Sequence, residues 1–371
     1  MESDMKAKSF LLFVAIFLCL SLCALSSARA EPARVTYKIA VIIPLTGPVS
    51  SLGQYVKNGI DLALDALPKE QKDAIEVTYD DDQWDPLRTL SAYRKLKREG
   101  GADAVFVIGS PTANALVPIT EKDKTILIGI GASDPTIAVG RQYSFIHWVT
   151  PAVLGETLAT ELKRRNFKKI ALIVNEVSGA LADMNGLREA LSENGLADRI
   201  VYHQTFLREV TDYRTAVAQM KHSKADAVVA ALFPGPLSAF AKQFRAAGLS
   251  AELIGIETFE DESEVKASEG ALNGAWYVNA SDSSSEFIAA YKAKYKEHPG
   301  WGTGNGYDSL TLIAQAVAKA GPSSDKLRDY LRSVKDHQGA CGVYSASGDN
   351  RFTLPAALKR ITDKGFVPYL P

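Results

Sequence analysis

The sequence predicts an α/β protein of two lobes, each a parallel sheet flanked by helices, joined by a three-strand hinge. Three observations predict it. Short β-branched runs alternate with helical periodicity from residue 37 to residue 256, and strict strand–helix alternation builds parallel sheets with helices on both faces. The alternation breaks once, at 145–151, around His147, Trp148 and Pro151. The last hundred residues add three helices and a closing hairpin, too little for a third domain.

In chain order, 37–43 is an apolar-rich strand, followed by the turn Pro44-Leu45-Thr46-Gly47-Pro48. Val56, Ile60, Ala63, Leu64 and Leu67 recur at helical spacing over 52–67, and Pro68 ends that helix. A strand at 75–79 leads into Asp80-Asp81-Asp82-Gln83-Trp84-Asp85-Pro86, and a helix follows to about 98. Strand 104–108, helix 113–122 and strand 126–130 complete the first unit. The second unit reads helix 154–164, strand 170–174, helix 181–193, strand 200–206, helix 213–220, strand 227–232, helix 237–247 and strand 253–256. A strand at 275–278 and helices at 285–295, 307–319 and 326–333 follow, and a hairpin spans 349–366. The helices return most simply to the first lobe and the hairpin to the second. The expected division is a secretory signal at 1–30, lobe one at 31–149 and 279–349, and lobe two at 150–278 and 350–371. The chain then crosses near Trp148, Asn279 and Gly348, and three strands between two α/β lobes make a cleft that can close.

The start of the chain reads as a targeting segment. Lys6 and Lys8 precede the apolar stretch 10–25, and Ala28-Arg29-Ala30 offers small residues for cleavage before Glu31. A lipoprotein signal ending at Cys23 is disfavoured by the bulky Leu22 before it. Cys19 and Cys23 leave with the signal, so Cys341 has no partner for an internal disulfide. An exported chain that relies on its core fits a bacterial periplasm. The formal net charge of −1 excludes nucleic acid as an expected partner.

Two loops draw attention. The run 104–108 ends at Gly109-Ser110-Pro111-Thr112, and 126–130 ends at Gly131-Ala132-Ser133-Asp134. Taken singly, Ser110, Thr112 and Ser133 are explained as helix caps. Two such loops at neighbouring strand ends point to a site, because open α/β sheets bind ligands at the carboxyl edge. Hydroxyls and free N–H groups there suit a carboxylate. The triple Asp80-Asp81-Asp82 lacks the alternate spacing of a calcium loop, so turn formation and capping account for it. Asn279-Ala280-Ser281 fits a glycosylation pattern common by chance.

Over almost the whole mature chain, the sequence resembles the periplasmic solute-binding proteins of the Leu/Ile/Val-binding type, receptor subunits of branched-chain amino-acid ABC importers. The resemblance rests on the order and spacing of several stretches. They are the opening strand and turn 39–53, the acidic turn 81–86, the loops at 109–119 and 131–135, Lys242-Gln243-Phe244-Arg245 with Gly248-Leu249 and Ile254-Gly255, and Tyr307-Asp308-Ser309-Leu310. It implies a periplasmic-binding-protein type I fold that closes on a small molecule, an amino acid or related carboxylate or amide. It further implies presentation of the closed form to an inner-membrane ABC permease, with no cofactor or metal and a monomeric state. By the same resemblance Ser110, Ala132 and Ser133, with Thr112 beside them, hold a ligand carboxylate, and Glu257 takes its ammonium. Trp148, Phe233 and Tyr307 are apolar wall candidates. Three positions depart from the family pattern: Leu52 replaces an aromatic, Val177-Ser178 replaces Tyr-Gly, and Phe233 replaces a tyrosine. Asp134 adds an acid where relatives often carry a neutral residue. These departures open the cleft to ligands other than Leu, Ile or Val.

A secreted α/β hydrolase is disfavoured, since no Gly-x-Ser-x-Gly elbow is present. Neither a His-Glu-x-x-His pair nor a complete dinucleotide fingerprint occurs. A sensor lobe serving a chemoreceptor or kinase would have the same cleft and differ only on its outer surface.

Overall fold

The computed structural model describes residues 36–369. The signal expected at 1–30 lies outside the described residues. The first sheet side contains, in chain order, β1 (Tyr37–Ile43), α1 (Ser50–Ala66), the short α2 (Lys69–Lys72), β2 (Ile75–Asp81), α3 (Pro86–Arg98), β3 (Ala104–Ile108), α4 (Ser110–Asp123), β4 (Ile126–Ile130) and β5 (Ser144–His147). The second side follows with α5 (Pro151–Arg164), β6 (Ile170–Asn175), α6 (Ser178–Glu193), β7 (Ile200–Phe206), α7 (Arg214–Ser223), β8 (Ala227–Ala231), α8 (Pro236–Ala246), β9 (Glu252–Gly255), α9 (Glu262–Ala267) and β10 (Trp276–Ala280). Last come α10 (Ser285–Tyr295), α11 (Thr303–Ala320), α12 (Ser324–Arg332), β11 (His337–Gly339), β12 (Gly342–Tyr344), β13 (Ala356–Thr362) and β14 (Gly365–Pro368).

One sheet has the order β2-β1-β3-β4-β5 and is parallel throughout. Apart from the small antiparallel pair β11–β12, the other sheet has the order β14-β13-β10-β9-β8-β6-β7. Its strands from β10 to β7 are parallel, and the β13–β14 hairpin adds to β10 antiparallel. β3, β4, β6 and β8 are buried along their whole length, which explains their dominance by Val, Ile, Leu and Ala, interrupted only by Phe106, Gly129 and Asn175. Helices on both faces cover such strands, and the carboxyl ends stay open to whatever lies beyond the sheet edge.

The chain passes between the two sheets three times, after β5, after β10 and after β12. The passages bond to one another and to α11. Ile146 N donates to Asn350 O at 3.0 Å, and Ser281 N donates to Pro355 O at 2.9 Å. The Asn350 amide donates to Ser144 O and Arg141 O. Asn305 of α11 donates to His147 O at 3.2 Å. His147 is fully buried, and desolvation lowers its pKa to about 3, so it is a neutral spacer here.

Two stretches depart from the expectation. Residues 145–147, read as part of the crossing, belong with Ser144 to the edge strand β5 on β4. The backbone carbonyls of Ser144 and His147 accept from Asn350 and Asn305, from far along the chain, which no local pattern signals. The glycine-rich stretch before Tyr307 is the first turn of α11, not a lead-in loop. A Cβ on Gly59 of α1 would lie 2.0 Å from Thr303 O, and one on Gly306 would lie 2.6 Å from Val56 O. The glycines are therefore where α1 and α11 touch backbone to backbone.

Gly59→Val should lower stability by roughly 1–3 kcal/mol, because two packed helices must separate to admit the side chain. Urea unfolding would measure this, and an unchanged midpoint would contradict the contact.

Candidate functional site

The carboxyl ends of both sheets line one cavity of about 600 Å³, part of it open to solvent. From the first sheet come Pro44 after β1, Ile108 to Pro111 after β3, and Gly131 and Ser133 after β4. From the second come Phe233 and Pro234 after β8, and Glu257, Thr258, Glu260 and Asp261 after β9. Leu52 of α1, Gly179 of α6, Trp84 and Trp301 close the walls.

The acidic turn before α3 sets Trp84 in place. Asp81 accepts from Leu45 N and Thr46 N, tying the turn to the end of β1. Asp82 accepts from Trp84 N and from the Thr89 hydroxyl, both at 2.8 Å. Asp85 caps α3 by accepting from Leu87 N and Arg88 N. The acids thus hold Gln83 and Trp84 at positive φ, and the indole N–H donates to Ile108 O at 3.0 Å. Trp84 then stacks on Phe233 of the other sheet with centroids 4.9 Å apart. Gly131, at φ +64°, admits Trp301, since a Cβ there would sit 2.0 Å from its ring.

Leu52, Ser110, Ser133, Phe233 and Glu257 share this cavity. Thr112, Ala132 and Tyr307 are not in its lining. Thr112 is fully buried and donates to Ile108 O and Gly109 O. Ala132 is fully buried as well, behind the loop. Tyr307 packs edge-on against Phe287 with centroids 5.2 Å apart. Trp148 reaches the site through Trp301, against which it packs at 4.8 Å. Neither expected helix cap forms at Ser110 or Thr112. Ser110 Oγ instead accepts from Ser133 N at 3.0 Å and Asp134 N at 3.1 Å, which knits the two loops together. Asp134 lies outside the lining, where it caps a 3-10 turn and accepts from the Asn114 amide.

Asp183 is the residue that the loops did not signal. It lies on the buried face of α6, 2% exposed, against Ser133 and Glu257. An acid on the stripe Gly179, Ala180, Asp183, Met184 and Leu187, otherwise small and apolar, was the signal available. Ser133 Oγ, both Asp183 carboxyl oxygens and Glu257 Oε2 are buried without a hydrogen-bond partner of good geometry. Thr258 Oγ1 is in the same condition. Among the described residues no Lys, Arg or His lines the cavity, and the Arg208 guanidinium lies behind its wall, over the Trp84 ring at 4.4 Å. The neighbouring acids are already engaged: Glu260 bonds Lys359 and Asn279, and Asp261 caps α9. Burial therefore raises Glu257 to about 7. Burial first, and then the nearby Glu257, push Asp183 well above the usual carboxylate range.

The sign of the resulting pH dependence follows. An acid whose pKa rises on folding binds more protons folded than unfolded, so stability falls as pH climbs from the unfolded value of 4.5 to the folded value of about 7. The ligand-free protein should lose melting temperature relative to Glu257→Gln between about pH 5 and about pH 8. A difference that stays constant across that range would refute the uncompensated pair.

A family model described as periplasmic binding protein matches residues 36–365. The Leu/Ile/Val-binding protein homolog 3 of Brucella melitensis is 24% identical over 337 residues, covering 86% of this chain and 90% of that one. The leucine-, isoleucine-, valine-, threonine-, and alanine-binding protein of Pseudomonas aeruginosa is 24% identical over 80% of this chain and 82% of its own. A leucine binding protein from Thermotoga maritima superposes with a TM-score of 0.84 at 19% identity, over 90% of this chain and 98% of that one. An ABC-transporter solute binding protein from R. palustris, solved in complex with benzoate, superposes at 0.80 and 19% identity, over 90% and 95%. These are binding proteins rather than enzymes, and the fold is the type I two-lobed architecture that the sequence implied. The chain belongs to the periplasmic binding protein family.

Proposed function

We propose that this chain is the extracytoplasmic solute-binding subunit of an ABC importer. It captures an amino acid or related small solute between its lobes and presents the closed form to an inner-membrane permease. The observation that carries this reading is a cavity whose unpartnered polar atoms come from both sheets, Ser133 from one and Glu257 from the other. A ligand that satisfies both holds the two together. In isolation each half-site has little to offer, so affinity belongs to the closed arrangement.

Direct contacts across the cleft include the Trp84–Phe233 stack, the Arg208 guanidinium over the Trp84 ring at 4.4 Å, the approach of Ser133 to Asp183, a long hydrogen bond of 3.5 Å from Ser51 to Asp261, and one of 3.4 Å from Asn114 to Ser178. Ligand contacts add to these and can decide the balance between open and closed. The three passages between the sheets supply the hinge. Among solved relatives, a Streptococcus pneumoniae substrate binding protein is bound to isoleucine, which supports a solute of this size.

A solute screen by thermal shift tests the reading. A ligand at about a hundred times its Kd adds about 2.7 kcal/mol to stability, a shift easily read in a melting curve. The same ligand at saturation should reduce the radius of gyration in small-angle scattering. A stabilising ligand that leaves the radius unchanged would remove hinge closure from the account. Absence of any hit among amino acids, acids, amides and amines would remove solute capture.

A further inference from the structure

We infer that Trp84, gripped by Phe233 and Arg208, is a clasp between the lobes that holds the cleft shut for part of the time before any solute enters, so that Arg208 sets solute affinity without touching the solute. The inference rests on the solute-binding reading above and adds a positioning residue to it.

The polar groups of Trp84 belong to the first lobe. Its backbone N–H donates to Asp82 at 2.8 Å, and the indole N–H donates to Ile108 O at 3.0 Å. The loop after β3 fits closely against the indole, since a Cβ on Gly109 would lie 2.8 Å from Nε1. The ring is held by the second lobe. Phe233 stacks on it at 28° with centroids 4.9 Å apart, and the Arg208 guanidinium carbon lies 4.4 Å from its centroid. With both in place Trp84 is 6% exposed. Parting the lobes returns that aromatic face to water and costs the stack and the cation–π contact together.

Phe233 follows β8 and Arg208 follows β7, yet the two loops form one jaw. Asn175, at the end of β6 between those strands, bridges them. Its side-chain oxygen accepts from Phe233 N at 2.8 Å, and its amide donates to Leu207 O at 3.4 Å. Glu176 N donates to Phe206 O at 2.7 Å, and Val210 N closes the turn on Leu207 O at 3.1 Å. A fully buried asparagine ending an otherwise apolar strand is thereby explained. The jaw is fixed within its own lobe, so its grip is ready whenever the lobes meet.

Arg208 is committed to this contact. The adjacent Glu209 acts on it through its charge, and the Trp84 face is the group it lies against. Half-buried, the guanidinium has already lost part of its hydration, and a desolvated cation gains more from an aromatic face than a wet one. Arg208 does not line the solute cavity, whereas Trp84 and Phe233 do. A contact made only in the shut arrangement raises the fraction of shut molecules. Apparent affinity then changes by one factor for every solute. A residue touching the solute changes each solute by a different amount.

Arg208→Gln tests the clasp, because it removes the cation and leaves the Asn175 bridge in place. Small-angle scattering on the ligand-free protein should give Arg208→Gln a larger radius of gyration than the parent. Equal radii would overturn the inference. In a Trp84→Leu background the same substitution should enlarge the radius no further, and an equal increase there would overturn it as well. Where Trp84→Leu does not fold, the single variant decides. Calorimetry with leucine, isoleucine and benzoate supplies the second readout. Each solute that binds should weaken by about three- to thirtyfold in Arg208→Gln, by one common factor. Factors that differ from solute to solute would make Arg208 a solute contact, overturning the clasp and leaving solute capture standing. If none of the three binds, scattering still decides the clasp, and the wider thermal-shift screen decides solute capture.

Discussion

The carboxyl groups of Asp183 and Glu257 are buried side by side with no cation against them. In water such a pair repels only weakly, but in a dry cleft the repulsion and the lost hydration both grow. The other acids of the cavity lining, and those of the turns beside it, have partners. Lys359 serves Glu260, N–H groups serve Asp81, Asp82, Asp85 and Asp261, and Asn114 serves Asp134. The contrast supports the reading proposed above, in which the unpaired carboxyls await a ligand.

The scaffold around that pair is stiff where it needs to be. The Asp81-Asp82 turn fixes Trp84, Ser110 fixes the loops after β3 and β4, and Gly131 lets Trp301 close the wall. These elements sit at the carboxyl ends of strands whose middles are wholly buried, so their positions are set by the sheet. The joint between the lobes is lighter: three passages, a few backbone hydrogen bonds and a neutral His147. On the solute-binding reading proposed above, a half-site on each side of such a joint lets ligand contacts decide how often the cleft is shut.

Much of this was legible in the chain. Fully buried β-branched runs alternating with helical periodicity are strong local signals, and they gave the parallel sheets and the edge at which ligands bind. The family resemblance named Ser133 and Glu257 before any geometry was available. What escaped depends on distant partners. β5 was hidden because Ser144 and His147 look like linker residues until Asn350 and Asn305 meet them. The start of α11 was hidden because its glycines mark a helix crossing and not a turn. Ser110 and Thr112 share a loop and a chemistry, yet one joins two loops while the other bonds its own backbone. Nothing in residue type distinguishes those fates. Asp183 was the hardest to see, since an acid in mid-helix is usually a solvated one.

The protonation state of the ligand-free cleft tests the central claim most directly. Carbon-13 labelling of aspartate and glutamate side chains, followed by NMR across pH, would report each carboxyl separately. The account predicts one glutamate resonance with a midpoint near 7, absent from Glu257→Gln. If every glutamate titrated near the ordinary value of 4.5, the pair would already be compensated, and nothing in it would await a ligand.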